Sequence, residues 1–85
     1  MTSPRLSATV RSAVALVCSV DPASLDAQTT LAQLDADSLV RVGIADVVEA
    51  ELARDGIVVH IDDATLGRVM TLGELDAYLA DHRSA

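Results

Sequence analysis

Apolar residues between Arg5 and about Ser19 recur at spacings of three and four, which places them on one face of a helix. They are Leu6, Val10, Ala13, Val14, Val17 and Cys18. Asp21-Pro22 ends this pattern, because the residue before a proline is disfavoured in helical geometry. The sequence therefore predicts an amphipathic first helix that forms one wall of a core, followed by a long loop that leads to Asp37.

A second helical pattern begins at Ser38 and runs to about Arg54. Asp55-Gly56 then supplies a glycine, which can take the left-handed conformation of a C-terminal cap. The residues that share the predicted core face of this helix are Ile44, Ala45, Val48 and Leu52. The pattern predicts that this helix packs against the first.

Val40, Gly43 and Val47 form a second apolar stripe along the same helix. Glycine inside a helix costs about 1 kcal/mol relative to alanine, so Gly43 requires an explanation. One interpretation is close packing against another helix. The other is a shallow apolar patch, formed together with Leu39, on which a binding partner lies. The sequence leaves both interpretations open.

The rest of the chain predicts an extended connection and two further helices. Residues 57–61 are mostly β-branched, but a single strand would have no partner, so we expect a connection that buries Ile57, Val59 and Ile61. Asp62-Asp63 caps a short helix through about Val69, and Thr71 with Glu74 forms a capping box for the last helix. The short helix is expected to bury Ala64, Leu66 and Val69. The predicted fold is all-α, a small four-helix bundle of three longer helices and one short helix.

Eighty-five residues are expected to form a single domain, with residues 1–4 and 82–85 as frayed ends. Tyr78 is the only aromatic residue, so the core has to be aliphatic. We expect a monomer, and both ends have the character of natural termini, which favours a free-standing protein.

The charge balance limits the classes of partner. Six basic and thirteen acidic residues give a net charge of −7, and none of the basic residues is a lysine. Nucleic-acid binding needs clustered positive charge, so it is excluded, whereas basic surfaces on partner proteins are favoured. Cys18 has no second cysteine to pair with, and no segment is apolar enough to span a membrane, so we expect a cytoplasmic location.

Ser38 is the residue on which the chemistry is expected to centre. Asp37 is a good N-cap, so Ser38 lies in the first turn of a helix, where N–H groups and the helix dipole favour an anion such as a phosphate ester. No general base is near it in the sequence, since the nearest histidine is His60. His60 also has no second ligand at metal-binding spacing. The sequence therefore predicts a modified serine, no catalytic residues and no metal site.

The run Leu34-Asp35-Ala36-Asp37-Ser38-Leu39 resembles the D-S-L attachment motif of the acyl carrier proteins, and the order of helices and loop around it is also similar to that family. The resemblance implies that the serine hydroxyl carries 4'-phosphopantetheine, transferred from coenzyme A by a phosphopantetheinyl transferase. It also implies that the transferase recognises Asp37 and Leu39. The arm would hold acyl intermediates as thioesters.

The resemblance further implies that the second helix and the loop before it dock acyl-loading and acyl-processing enzymes through basic surfaces on those enzymes. The predicted partner-binding residues are Asp35, Val40, Arg41, Gly43, Asp46, Val47 and Glu49. Val40, Arg41 and Gly43 replace polar or acidic residues that are common in fatty-acid carriers. A carrier of polyketide or other specialised-metabolite biosynthesis is therefore expected. An aminoacyl or peptidyl carrier of a nonribosomal pathway and a non-carrier helical interaction module are the alternatives.

Overall fold

The computed structural model describes residues 4–82 and confirms the predicted all-α fold. The helices are α1 (Pro4–Cys18), α2 (Ser38–Arg54), α3 (Asp63–Arg68) and α4 (Leu72–His82). Two 3₁₀ turns, Pro22–Ser24 and Ala32–Leu34, lie in the loop between α1 and α2. None of the described helices is long and apolar enough to cross a membrane.

The core lies where α1 packs against both α2 and α4, and α3 packs against α2. Its largest fully buried side chains are supplied by the three longer helices at spacings of three and four. They are Leu6, Val10, Val14, Ile44, Val48, Leu52, Leu72, Leu75 and Leu79. Between α2 and α3, Val59 and Ile61 are buried as predicted and Val58 and His60 are exposed, whereas Ile57 is only half-buried. An aliphatic core of this kind depends on packing shape, because it has no large aromatic side chain.

Side-chain caps set the helix ends at the predicted positions. The Asp62 carboxylate accepts a hydrogen bond of 2.7 Å from the N–H of Thr65 at the start of α3, and this bond lowers the pKa of Asp62. The Thr71 hydroxyl accepts one of 3.1 Å from the N–H of Glu74 at the start of α4. Gly56 has a φ of 79° and ends α2 in the left-handed conformation. These contacts span only a few residues, so they are readable from the sequence.

The predicted buried face of α3 is wrong at one position. Ala64 is exposed, whereas Thr65 is buried together with Leu66. The helix has only six residues, so its own apolar pattern is too short to fix its rotation, and packing against α2 decides which side faces inward.

The sequence predicts frayed ends at residues 1–4 and 82–85. Residues 1–3 and 83–85 lie outside the described residues, but Pro4 and His82 are both helical. The fraying of these ends stays a prediction. The ring of His82 stacks on Tyr78 with centroids 4.2 Å apart, and its Nδ1 lies 2.9 Å from the Tyr78 carbonyl oxygen. These contacts extend α4 to His82.

The loop before α2 is fastened to the start of α4. The N–H of Leu31 donates to the Met70 carbonyl at 2.9 Å, and the N–H of Gly73 donates to the Ala27 carbonyl at 3.0 Å. The two segments approach so closely here that a Cβ on Gly73 would lie 3.0 Å from the Ala27 carbonyl oxygen. The segment that leads into α2 is therefore held in a fixed position on the bundle.

Candidate functional site

Ser38 is the first residue of α2 and is exposed. Asp37 precedes it in an extended conformation, and its carboxylate accepts a hydrogen bond of 2.9 Å from the N–H of Val40. This N-cap leaves the Ser38 hydroxyl at the positive end of a 17-residue helix. A phosphate ester at this oxygen would be stabilised by the helix dipole and reachable from solvent.

The chain that leads to Ser38 is shaped by two unusual positions. Asp35 has a φ of 54°, a left-handed conformation that aspartate tolerates better than most residues. Ala36 is buried, and its N–H donates to the Leu31 carbonyl at 3.0 Å. A larger side chain at position 36 would have to displace the loop, which gives a physical reason for a small residue two places before the serine.

A groove of about 570 Å³ lies between the start of α2 and α3. Ser38 lines it directly. The other lining residues are Ala36, Asp37, Arg41, Val42, Asp63, Leu66 and Gly67. The residues from the loop, α2 and α3 combine apolar side chains with two carboxylates and one guanidinium. A group attached to Ser38 would therefore start next to a surface of mixed polarity.

Arg41 joins α2 to α3, which the sequence did not reveal. Its Nε donates to the Ala36 carbonyl at 3.1 Å, and its Nη1 donates to the carbonyls of Leu66 at 2.8 Å and Val69 at 3.1 Å. The last carbonyls of a helix lack partners within the helix, so a cation satisfies them well. Arg41 therefore braces the wall of the groove, and its predicted contact with partner enzymes remains a prediction.

The stripe of Val40, Gly43 and Val47 faces the bundle rather than solvent. Val40 and Val47 are half-buried and pack against the core, and a Cβ on Gly43 would lie 3.6 Å from Cγ1 of Val17 on α1. The structure thus supports the packing interpretation of this stripe. The exposed apolar side chains beside Ser38 are instead Leu39, with 79% of its surface exposed, and Val42, with 39%.

The predicted acidic partner residues fall into two groups. Asp35 and Asp46 are exposed, as is Asp37, the predicted transferase contact. Glu49 is half-buried and has a structural contact, since its Oε2 accepts a hydrogen bond of 2.8 Å from the N–H of Ile61. The exposed carboxylates can meet a basic surface, although that of Asp37 also caps α2, whereas Glu49 holds the connection between α2 and α3 in place.

Asp76 is a buried carboxylate that the sequence analysis missed. Only 3% of its surface is exposed, its Oδ2 accepts a hydrogen bond of 2.9 Å from Ser7, and its Oδ1 has no partner. Burial raises the pKa of Asp76, against smaller effects of Ser7 and Arg11. The helical spacing does indicate that Asp76 is buried, because position 76 is four residues after Leu72 and three before Leu79 on the buried side of α4. Asp76 lies between α1 and α4 and is not part of the groove.

The described residues hold no cluster of three or more His, Cys, Asp or Glu side chains that could bind a metal ion. Cys18 is half-buried, and burial raises the pKa of its thiol, which disfavours the reactive thiolate. Neither feature adds a second reactive group to the groove beside Ser38.

The sequence was compared with models of protein families and with curated proteins. A family model described as a phosphopantetheine attachment site matches residues 8–79, which include Ser38 and the groove. No curated protein matches the chain significantly. An exposed serine at a capped helix start suits the attachment of a phosphate ester, which is the chemistry that the family description names.

Proposed function

The chain belongs to the phosphopantetheine-attachment family, whose domains bind a covalently attached 4'-phosphopantetheine, and from this premise we propose that it is an acyl carrier protein modified on Ser38. The observation that carries the proposal is the exposed hydroxyl of Ser38 directly after the Asp37 cap. By contrast, the hydroxyls of Ser7 and Ser24 are engaged with Asp76 and with the Asp21 carbonyl.

Loading forms one phosphodiester bond. The Ser38 oxygen attacks the phosphorus of coenzyme A that bears the pantetheine, its proton goes to a base, and adenosine 3',5'-bisphosphate leaves. Ser38 has no hydrogen-bonded base among residues 4–82, so the transferase has to supply one. The bound group supplies a flexible thiol that holds acyl groups as thioesters. This chain contributes the positioned hydroxyl, the cap and the groove.

Presentation to partner enzymes is proposed to use the exposed face around Ser38. Leu39 offers an apolar contact, and Asp35, Asp37 and Asp46 offer negative charge on a protein of net charge −7. Complementary charge speeds encounter and selects the partner more than it adds affinity. The partners are therefore a phosphopantetheinyl transferase and acyl-loading and acyl-processing enzymes with basic surfaces, in polyketide or other specialised-metabolite biosynthesis.

The test is to incubate the apo protein with coenzyme A and a broad-specificity phosphopantetheinyl transferase and to weigh the intact product. We expect one phosphopantetheinyl group on the unsubstituted protein and none on Ser38→Ala. Ser12→Ala is the matched control, because Ser12 is also an exposed serine in a helix. Absence of any addition, or an addition that persists in Ser38→Ala, would overturn the proposal.

A further inference from the structure

Arg41 lies in the groove one helical turn after Ser38. Residues three apart share a helix face, and both side chains line the same groove. The guanidinium reaches to 3.1 Å from the carbonyl oxygen of Ala36, two residues before Ser38. The positive charge is thus placed in the same groove as the Ser38 side chain.

The bracing contacts do not use all the donors of Arg41. A guanidinium has five N–H donors, one on Nε and two on each terminal nitrogen. Nε makes one hydrogen bond and Nη1 makes two, to Ala36, Leu66 and Val69. The two donors of Nη2 make no hydrogen bond to any residue in the range 4–82. They remain able to bind an anion.

The other charges in the groove make a cation there significant. Among the described residues that line the groove, Asp37 and Asp63 are acidic and Arg41 is the only basic residue. A phosphodiester on Ser38 adds a third negative charge to this groove. Like charges that line one groove repel one another, so a cation in the same groove favours the attached phosphodiester.

We propose that Arg41, besides bracing α3, is a positioning residue that binds the phosphodiester of the attached arm through Nη2. The inference rests on the proposed attachment at Ser38. Arginine suits the task because its planar guanidinium presents donors in several directions, so Nε and Nη1 can hold backbone carbonyls while Nη2 donates to a phosphate oxygen. The contact fixes the phosphate end of the arm in the groove and so sets the direction in which the arm leaves the protein.

A thermodynamic cycle separates this role from bracing. Thermal unfolding midpoints are measured for apo and holo forms of the unsubstituted protein and of Arg41→Gln. Loss of bracing alone lowers the unfolding midpoints of the apo and holo forms equally, so the difference between them, which is the shift on loading, stays the same. A contact with the phosphate makes Arg41→Gln reduce the shift on loading by about 2–4 °C at low salt, and the reduction shrinks at high salt.

Arg54→Gln is the matched control, because Arg54 is an exposed arginine on the same helix that pairs only with Glu51 among the described residues. Its shift on loading should equal that of the unsubstituted protein. Arg41→Lys retains the positive charge, so it should keep part of the shift on loading that Arg41→Gln loses. An equal shift on loading in Arg41→Gln and Arg54→Gln would overturn the proposal.

A second measurement needs no variant. The side-chain Nε–H resonance of Arg41 is followed by NMR as the apo protein is converted to holo, with Arg54 as the internal reference. We expect the Arg41 resonance to shift and that of Arg54 to stay. An unmoved Arg41 resonance in a sample that mass spectrometry shows to be fully loaded would overturn the inference, while a sample that cannot be loaded on Ser38 would contradict the proposed function instead.

Discussion

Ser7 and Asp76 form a hydrogen bond across the interface of α1 and α4, with the Ser7 Oγ donating to the Asp76 Oδ2 at 2.9 Å. The bond joins residues 69 positions apart and satisfies only one of the two carboxylate oxygens. A buried carboxylate with one unpartnered oxygen is expensive in its ionised form. The bundle therefore contains a titratable group at the packing surface of its two terminal helices.

This burial predicts that Asp76→Asn stabilises the protein at pH 7. Because the pKa of Asp76 is raised, the folded protein takes up a proton at a higher pH than the unfolded chain. The cost of the ionised form is thus present at neutral pH and disappears as the pH falls through the raised pKa. We expect Asp76→Asn to be more stable by about 1 kcal/mol at pH 7, with the gain narrowing toward pH of about 4.

Urea unfolding of both proteins across this pH range measures the difference. Arg11 on α1 is the charged group that partly offsets the burial of Asp76, so it is kept unchanged in both. Asp81→Asn serves as the control, since Asp81 is exposed on the same helix, and its stability should change little. A loss of stability in Asp76→Asn at pH 7 would contradict the prediction.

Gly43→Ala is expected to stabilise the bundle. The added Cβ would meet Val17 Cγ1 at an ordinary contact distance of 3.6 Å, while the helix gains up to about 1 kcal/mol from the higher propensity of alanine. Gly73→Ala is the comparison, because its Cβ would press on the Ala27 carbonyl at 3.0 Å and should lower stability by about 1 kcal/mol. Thermal unfolding of both variants tests the pair, and an equal loss in Gly43→Ala would show that α1 and α2 leave no room there.

Asp37 combines a structural and an electrostatic role that two substitutions can separate. Asp37→Ala removes the hydrogen bond to the N–H of Val40 and should cost about 1 kcal/mol in unfolding free energy. Asp37→Asn keeps a good cap and should leave stability nearly unchanged. If the transferase reads the charge, both variants load more slowly. Normal loading of Asp37→Asn by intact mass would instead assign Asp37 a capping role alone.

Leu39→Ala should affect recognition without affecting stability. The side chain is 79% exposed, so its removal should change the unfolding free energy by less than about 0.5 kcal/mol. If the transferase contacts Leu39, the rate of loading at limiting protein should fall about tenfold, as for a lost contact of about 1–2 kcal/mol. Leu16→Ala, another exposed leucine on α1, is the control. Equal loading rates would remove Leu39 from the recognition surface.

Features that depend on residues close together in the chain could be predicted from the sequence alone. The caps at Asp37, Asp62 and Thr71 each bond an N–H three residues away, and Gly56 ends α2 through its own backbone freedom. Apolar spacing then placed the core faces of α1 and α2 correctly, because each helix has enough turns to define one side. The helix order and the exposure of Ser38 at a helix start follow from these local signals.

Contacts between residues far apart in the chain could not be predicted in this way. Arg41 finds its carbonyl partners 25 and 28 residues away, Glu49 meets the N–H of Ile61, and Asp76 meets Ser7. No periodicity encodes such pairs, because they arise only when packed helices bring particular atoms within bonding distance. The six-residue α3 likewise takes its buried face from α2 rather than from its own pattern. The serine could thus be read from the sequence, whereas the groove beside it and the arginine within it required the folded chain.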